Sequence, residues 1–133
     1  MCHPKLSLKK TQTITFQLKT LTSYVSIGIC NKDKISANYE LNTQAAGHGC
    51  HHISYDGYCW CDGGSENEQY IGWYFNQGDK VTLTFNPVEK SLKFVKNSEV
   101  TQAKEIKVNF SKNDKLYFGI SLNSTPEEIV IVD

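Results

Sequence analysis

Six thiols and imidazoles fall within fourteen residues: His48, Cys50, His51, His52, Cys59 and Cys61. No other stretch of the chain carries so much ligand chemistry. Four such groups converging tetrahedrally would hold zinc. If residues 50–55 and 58–61 pair across Asp56-Gly57, Cys50 and His52 share one face and His51 takes the other. Cys59 and Cys61 also share a face, so a cross-strand cluster is geometrically open. The Cys-x-Cys spacing is nevertheless not that of the usual Cys-x-x-Cys knuckle, and a domain of this size needs no staple. The expectation is therefore no metal, with buried or half-buried cysteines and exposed histidines.

Nucleophilic chemistry is expected to be absent as well. Cys50 adjoins His51 and His52, but neighbours in a strand point to opposite faces. An activated thiol needs a base within hydrogen-bond reach and a third group to orient that base, and no residue is identifiable as the third group. Asp62-Gly-Gly-Ser-Glu66-Asn-Glu68 lacks the ligand spacing of a calcium loop and reads as a solvated acidic turn. Trp60 and one of Trp73 or Tyr74 are expected in the core, where aromatics supply the largest buried areas, with Tyr55 exposed beside the turn.

The elements that position these residues are strands. Period-two alternation runs from end to end: Ile14, Phe16 and Leu18; Val25, Ile27 and Ile29; Val81, Leu83 and Phe85; Ile106, Val108 and Phe110; and Leu116, Phe118, Ile120 and Leu122. No window carries the 3.6-residue period of an amphipathic helix. Asp56-Gly57 is a candidate for a two-residue hairpin turn of type I′, because Asp-Gly tolerates positive φ. Asn86–Lys90 reads as a longer hairpin loop, and Gln77-Gly78-Asp79 and Lys112-Asn113-Asp114 each precede a strand. Eight to ten short strands at this spacing imply an all-β, antiparallel two-sheet sandwich or a barrel.

Composition narrows the function. The 133 residues suit one domain, and 39% hydrophobic with 21% charged is ordinary for a globular chain. Fourteen basic residues balance fourteen acidic ones, and all fourteen are Lys. Nucleic acid is not expected as a partner, since it demands clustered positive charge, and the bidentate guanidinium fork is missing altogether. No apolar run approaches the ~18–20 residues that cross a bilayer, so no membrane insertion is expected. The odd number of cysteines and a start without an apolar leader point to reduced thiols in an intracellular, cytoplasmic setting. Residues 1–12 read as an N-terminal extension and 13–133 as the sandwich. The chain breaks off inside the strand-like run Ile129–Asp133, as one piece of a longer polypeptide would.

Four segments in order resemble the SPRY domain. Val25-Ser-Ile-Gly-Ile-Cys30 is similar to the family's strand with an Ile/Val-Gly-Ile/Val core. Gly49–Trp60 looks like its hairpin ending in an aromatic pair. Phe75-Asn-Gln-Gly-Asp79 with Lys80–Lys96 resembles the stretch in which a Gly-Asp opens a strand and a second strand with a central Phe returns. Lys115–Leu122 is similar to the late strand that usually reads Leu-Tyr-Pro. Phe118 stands where a Pro is common, Lys96-Asn97-Ser98 replaces a frequent Asn-Gly turn, and the tryptophan-bearing segments that often precede the core are absent. The resemblance covers roughly residues 13–132. It implies a sandwich of the SPRY, concanavalin-like type with no cofactor and no catalysis.

It also implies a protein or peptide partner held by loops. On the positions of this chain those are Lys32, Asp33 and Tyr39 after the second strand, Tyr55 at the hairpin, and Asn123, Ser124 and Thr125 after the late strand. Two other classes of function fit the same architecture: a carbohydrate-binding, lectin-like sandwich, and a purely structural subunit embedded in a larger complex.

Overall fold

The computed structural model describes residues 5–21, 24–32, 49–61, 67–122 and 128–132. Among them are ten strands and one short 3₁₀ turn: β1 (Gln12–Thr20), β2 (Val25–Asn31), β3 (Cys50–Ser54), β4 (Tyr58–Cys61), β5 (Gln69–Tyr70), β6 (Lys80–Asn86), β7 (Ser91–Lys96), the 3₁₀ turn Val100–Gln102, β8 (Lys104–Lys107), β9 (Leu116–Leu122) and β10 (Glu128–Ile131). They build two five-stranded sheets, ordered β10-β1-β6-β7-β8 and β5-β4-β3-β2-β9. All the pairings are antiparallel. The all-β sandwich expected from the alternation is borne out.

The first sheet follows the alternation closely. Ile14, Phe16 and Leu18 of β1, Val81, Leu83 and Phe85 of β6, and Leu92 and Phe94 of β7 are buried toward the second sheet. Outward on β1 and β6, Thr15 faces Thr82 with their hydroxyls 2.8 Å apart, and Thr13 faces Thr84 at 3.3 Å. From the second sheet, Val25, Ile27 and Ile29 of β2, Ile53 of β3 and Leu116 and Phe118 of β9 complete one core. Ile27, Phe85, Phe94 and Phe118 thus meet in a single cluster, as their inward positions in alternating strands require. Leu6 joins this core, and its N–H donates to the Leu116 carbonyl at 2.8 Å, so part of the N-terminal extension packs on the sandwich.

Turn chemistry sets two of the connections. Asn86 Oδ1 accepts from the N–H groups of Val88 (3.1 Å) and Glu89 (3.2 Å), which folds the four-residue loop between β6 and β7. Gly78 takes a φ of 94° and donates to the Leu18 carbonyl, while Asp79 Oδ2 accepts from Asn76 N–H at 2.7 Å, so Gly-Asp opens β6.

The β3–β4 hairpin departs from expectation. Ile53 pairs with Cys59, which leaves Tyr55, Asp56 and Gly57 as a three-residue loop instead of a two-residue type I′ turn. Gly57 has a φ of 91° and donates to the Ser54 carbonyl at 3.0 Å, whereas Asp56 keeps an ordinary negative φ. A type I turn closed by one left-handed glycine satisfies Asp-Gly as well as type I′ does, and only the pairing beyond it tells the two apart.

The aromatic assignments divide. Trp73 is core: it packs on Phe75 and Phe94 with ring centroids 6.2 and 5.7 Å away, and its indole N–H donates to the Gln102 carbonyl at 2.6 Å. Tyr74 is exposed. Trp60 is half-buried and lies on the outer face of the second sheet, opposite His52, outside the core.

Candidate functional site

The second sheet differs from the first in being buried along both faces of its central strands. Every residue of β2 and β3 is buried. Its outer face can be read in rows across paired strands: Tyr58, Ser54, Ser26 and Ser121; Trp60, His52, Gly28 and Gly119; and Cys50, Cys30 and Tyr117. Two groups of side chains stand out there, a buried thiol–imidazole group at the centre and a set of tyrosines at one end.

The buried group consists of Cys30, Cys50 and His52, whose ligand atoms all lie within 4.8 Å of one another. Cys30 and Cys50 are directly opposed in the β2–β3 register, and both remain thiols. Cys30 Sγ is 3.2 Å from His52 Nε2, and His52 Nδ1 is 2.9 Å from Ser26 Oγ. Ser26 also hydrogen-bonds the Tyr24 hydroxyl, which lowers a phenol pKa that burial otherwise pushes up. Ser26 Oγ thereby ties down the Nδ1 side of the His52 ring and leaves Nε2 turned toward the Cys30 thiol. A base and its orienting group thus stand beside a cysteine, but that cysteine is Cys30. Its thiol is buried and held well above the usual range by its hydrogen bond to Cys50 and by desolvation. It is a protonated, sheltered thiol, the opposite of an activated nucleophile.

Two expectations, exposed histidines and reduced thiols, are corrected here, and the cross-strand cluster that was geometrically open does not form. His51 and His52 are buried rather than exposed, at 2% and 0%. Cys59 and Cys61 do not join Cys50 and His52 on one face. A two-residue turn would oppose Cys61 to His52; the three-residue loop opposes it to His51 and turns both cysteines into the core. One residue of register exchanges the faces. Cys59 and Cys61 have Cα atoms 6.0 Å apart and are joined through their sulfurs, where reduced thiols were expected. Their separation fits the roughly 4.4–6.8 Å span of disulfides. Cys30 is the residue that the sequence reading missed. It lies twenty positions before Cys50, and no local motif links them.

The tyrosines gather at the end of the sheet where β2 begins, two of them on β5 and β4, one in the β3–β4 loop and one just before β2. Tyr70 of β5 pairs with Tyr58 of β4, their rings 5.4 Å apart. Tyr58 stacks on Trp60 at 6.4 Å. Tyr55, in the hairpin loop, meets Tyr24 edge-on at 6.2 Å, just before β2. Tyr70 and Tyr58 are 61% and 38% exposed, whereas Tyr55 is half-buried against the core. Leu122, the last residue of β9, pairs with Val25 at the same end.

Of the loop residues expected to bind a partner, Lys32 and Tyr55 are described. Asp33, Tyr39, Asn123, Ser124 and Thr125 lie outside the described residues, as does His48. Lys32 is exposed at the far end of β2, its N–H on the Lys115 carbonyl at 3.0 Å and its ammonium 5.7 Å from the Tyr117 ring centroid. Tyr55 sits at the near end. The seven residues of β2 separate the two, roughly 20 Å at ~3.3 Å per residue. The structure does not bring them to one rim.

No protein-family model matches the sequence, and no curated protein matches it. The architecture is similar to the crystal structure of the SPRY domain of human HERC1, with a TM-score of 0.64 at 17% identity, over 92% of this chain and 74% of that one. The chain has a SPRY-like fold. Within this sandwich, Phe118 is a core residue at the position where the family often has Pro. Asn97 and Ser98, in place of an Asn-Gly turn, both adopt positive φ (52° and 63°). Asn97 is held by Lys80 N–H donating to its Oδ1 (2.9 Å) and by its own Nδ2–H donating to Asp79 Oδ1 (2.8 Å). Among the described residues no helix is long and apolar enough to cross a membrane.

Proposed function

We propose that this chain is a non-catalytic protein-interaction module, working inside the cell, that recognises a peptide or protein surface along one rim of its sandwich. The observation that carries the reading is the group of tyrosines at one end of the second sheet, Tyr70 on β5, Tyr58 on β4, Tyr55 in the hairpin loop and Tyr24 just before β2, exposed at its β5 side. Tyrosine presents a large, rigid, amphipathic surface at low entropic cost, and such residues dominate the energetics of interfaces. The SPRY-like fold supports the reading, since a rigid sandwich lets loops and edges vary without disturbing the core. Asn123, Ser124 and Thr125, which follow β9 in the chain, and Lys32, Asp33 and Tyr39, which follow β2, are carried as further contact residues of the same reading. The partner is bound without cofactor.

The test is alanine substitution against a partner isolated by affinity purification. Tyr58→Ala and Tyr70→Ala are expected to weaken binding by about 2 kcal/mol or more each, as central interface tyrosines do. Their effect on stability should stay within about 0.5 kcal/mol. If Lys32→Ala carries the loss instead, binding belongs to the opposite end of the sheet. Binding of an oligosaccharide at the tyrosines would favour the lectin-like reading. Loss of binding only from changes on the Thr13–Thr84 face would mark a structural subunit.

A further inference from the structure

We infer that Cys30, Cys50 and His52 form a zinc site on the outer face of the β2–β3 pair. Two thiolates and one imidazole suit this borderline-soft, closed-shell cation, which imposes no geometry of its own. Zn–S bonds of about 2.3 Å and a Zn–N bond of about 2.0–2.1 Å place tetrahedral ligand atoms about 3.6–3.8 Å apart. The three donor atoms here lie within 4.8 Å of one another, with Cys30 Sγ and His52 Nε2 at 3.2 Å, so adjustments of about an ångström close the site. The register supplies the convergence: Cys30 and Cys50 are directly opposed, and His52 follows Cys50 by two on the same face.

Three further features of the chain favour a ligand at this point. His52 is held through Nδ1 by Ser26 Oγ at 2.9 Å, which leaves Nε2 as the coordinating atom. A hydrogen bond on the other ring nitrogen is the usual way a metal-binding histidine is oriented. Space is cleared by two glycines. A Cβ at Gly119 would stand 2.8 Å from Cys30 Sγ; one at Gly28 would stand 2.8 Å from His52 Cδ2 and collide with the His51 carbonyl oxygen. The charges also balance. On binding, each thiol gives its proton to solvent, and one divalent cation with two thiolates and a neutral imidazole carries no net charge. A buried site can tolerate that. The fourth tetrahedral position falls to a ligand from outside the trio. The expectation of no metal rested on residues 48–61 alone, where Cys59 and Cys61 turn to the other face and Cys30 is not counted.

The test is metal content of the full chain, refolded under reducing conditions with Zn2+ and passed over a desalting column. Wild type should retain about one equivalent, as a structural zinc does. The double variant Cys59→Ser/Cys61→Ser should retain the same. Cys30→Ser and His52→Gln should each retain less than about a tenth of that, and Ser26→Ala should bind about 10–100-fold more weakly, as loss of an orienting partner does. Should a ligand variant fail to fold, Co2+ substitution of wild type decides. Strong thiolate-to-cobalt charge-transfer absorption, lost on adding Zn2+, supports the site. Absence of that absorption, zinc well below one equivalent in wild type, or zinc lost with Cys59 and Cys61 while surviving Cys30→Ser, overturns it.

Discussion

The two sheets face each other across one core, yet their outer faces are built from different chemistry. On the first sheet, β6 reads buried and half-exposed by turns, and its outward positions are Thr82 and Thr84, opposite Thr15 and Thr13 of β1. On the second, β2 and β3 are buried at every position, and their outward residues are Ser26, Gly28, Cys30, Cys50, His52 and Ser54. A face in contact with water needs only polar, β-favouring side chains. A face closed off from water favours small residues and polar atoms with partners, as Gly28, Ser26, His52 and Ser54 show here, while the buried indole nitrogen of Trp60 is left without one. That difference makes the second sheet both the more brittle and the more chemically endowed.

Four substitutions test the contrast. Phe94→Ala removes a fully buried ring from the core that both sheets share, and should cost about 3–5 kcal/mol, enough to unfold a marginal domain. A denaturant titration showing a loss below about 1 kcal/mol would mean that β7 is misregistered. Gly28→Ala is the sharpest probe of the closed outer face, because the added methyl meets the backbone of His51 and His52. It should cost about 2–3 kcal/mol as overpacking; a neutral result would show that the β2–β3 pair has room to spare. Ser26→Ala leaves the buried Nδ1 of His52 without its partner and should cost about 1–2 kcal/mol, measured by thermal unfolding in the presence of chelator. A change indistinguishable from zero would remove the argument that Ser26 orients His52. Thr15→Val, on the open face of the first sheet, deletes a hydroxyl pair at 2.8 Å and should stay within about 0.5 kcal/mol. A larger loss there would make the two outer faces alike.

How much of this was legible in the chain varies by region. β1, β6 and β9 follow from alternation, and the inward set Ile14, Phe16, Leu83, Phe85 and Phe118 is the buried set. The Asn86–Lys90 loop and the Gly78-Asp79 strand opening follow from residues whose side chains or φ angles make turns. Alternation misled at β2 and β3, because a strand buried on both faces offers no polar side to mark the outside. His52 therefore reads as exposed, and Cys30 as an ordinary strand residue.

Local physics governs the strands, since a period of two and a positive-φ glycine are properties of neighbouring residues. The chain accordingly specifies an all-β sandwich, its inward faces and the position of the 55–57 turn. The candidate site obeys a different logic. Asp56-Gly57 is compatible with loops of two or three residues, and that single residue decides whether Cys59 and Cys61 face His52 or the core. Cys30 reaches Cys50 and His52 through pairing between strands twenty positions apart. Such a pairing is chosen by the total packing of two sheets rather than by any residue in it, so the thiol–imidazole group exists only once the sandwich has closed.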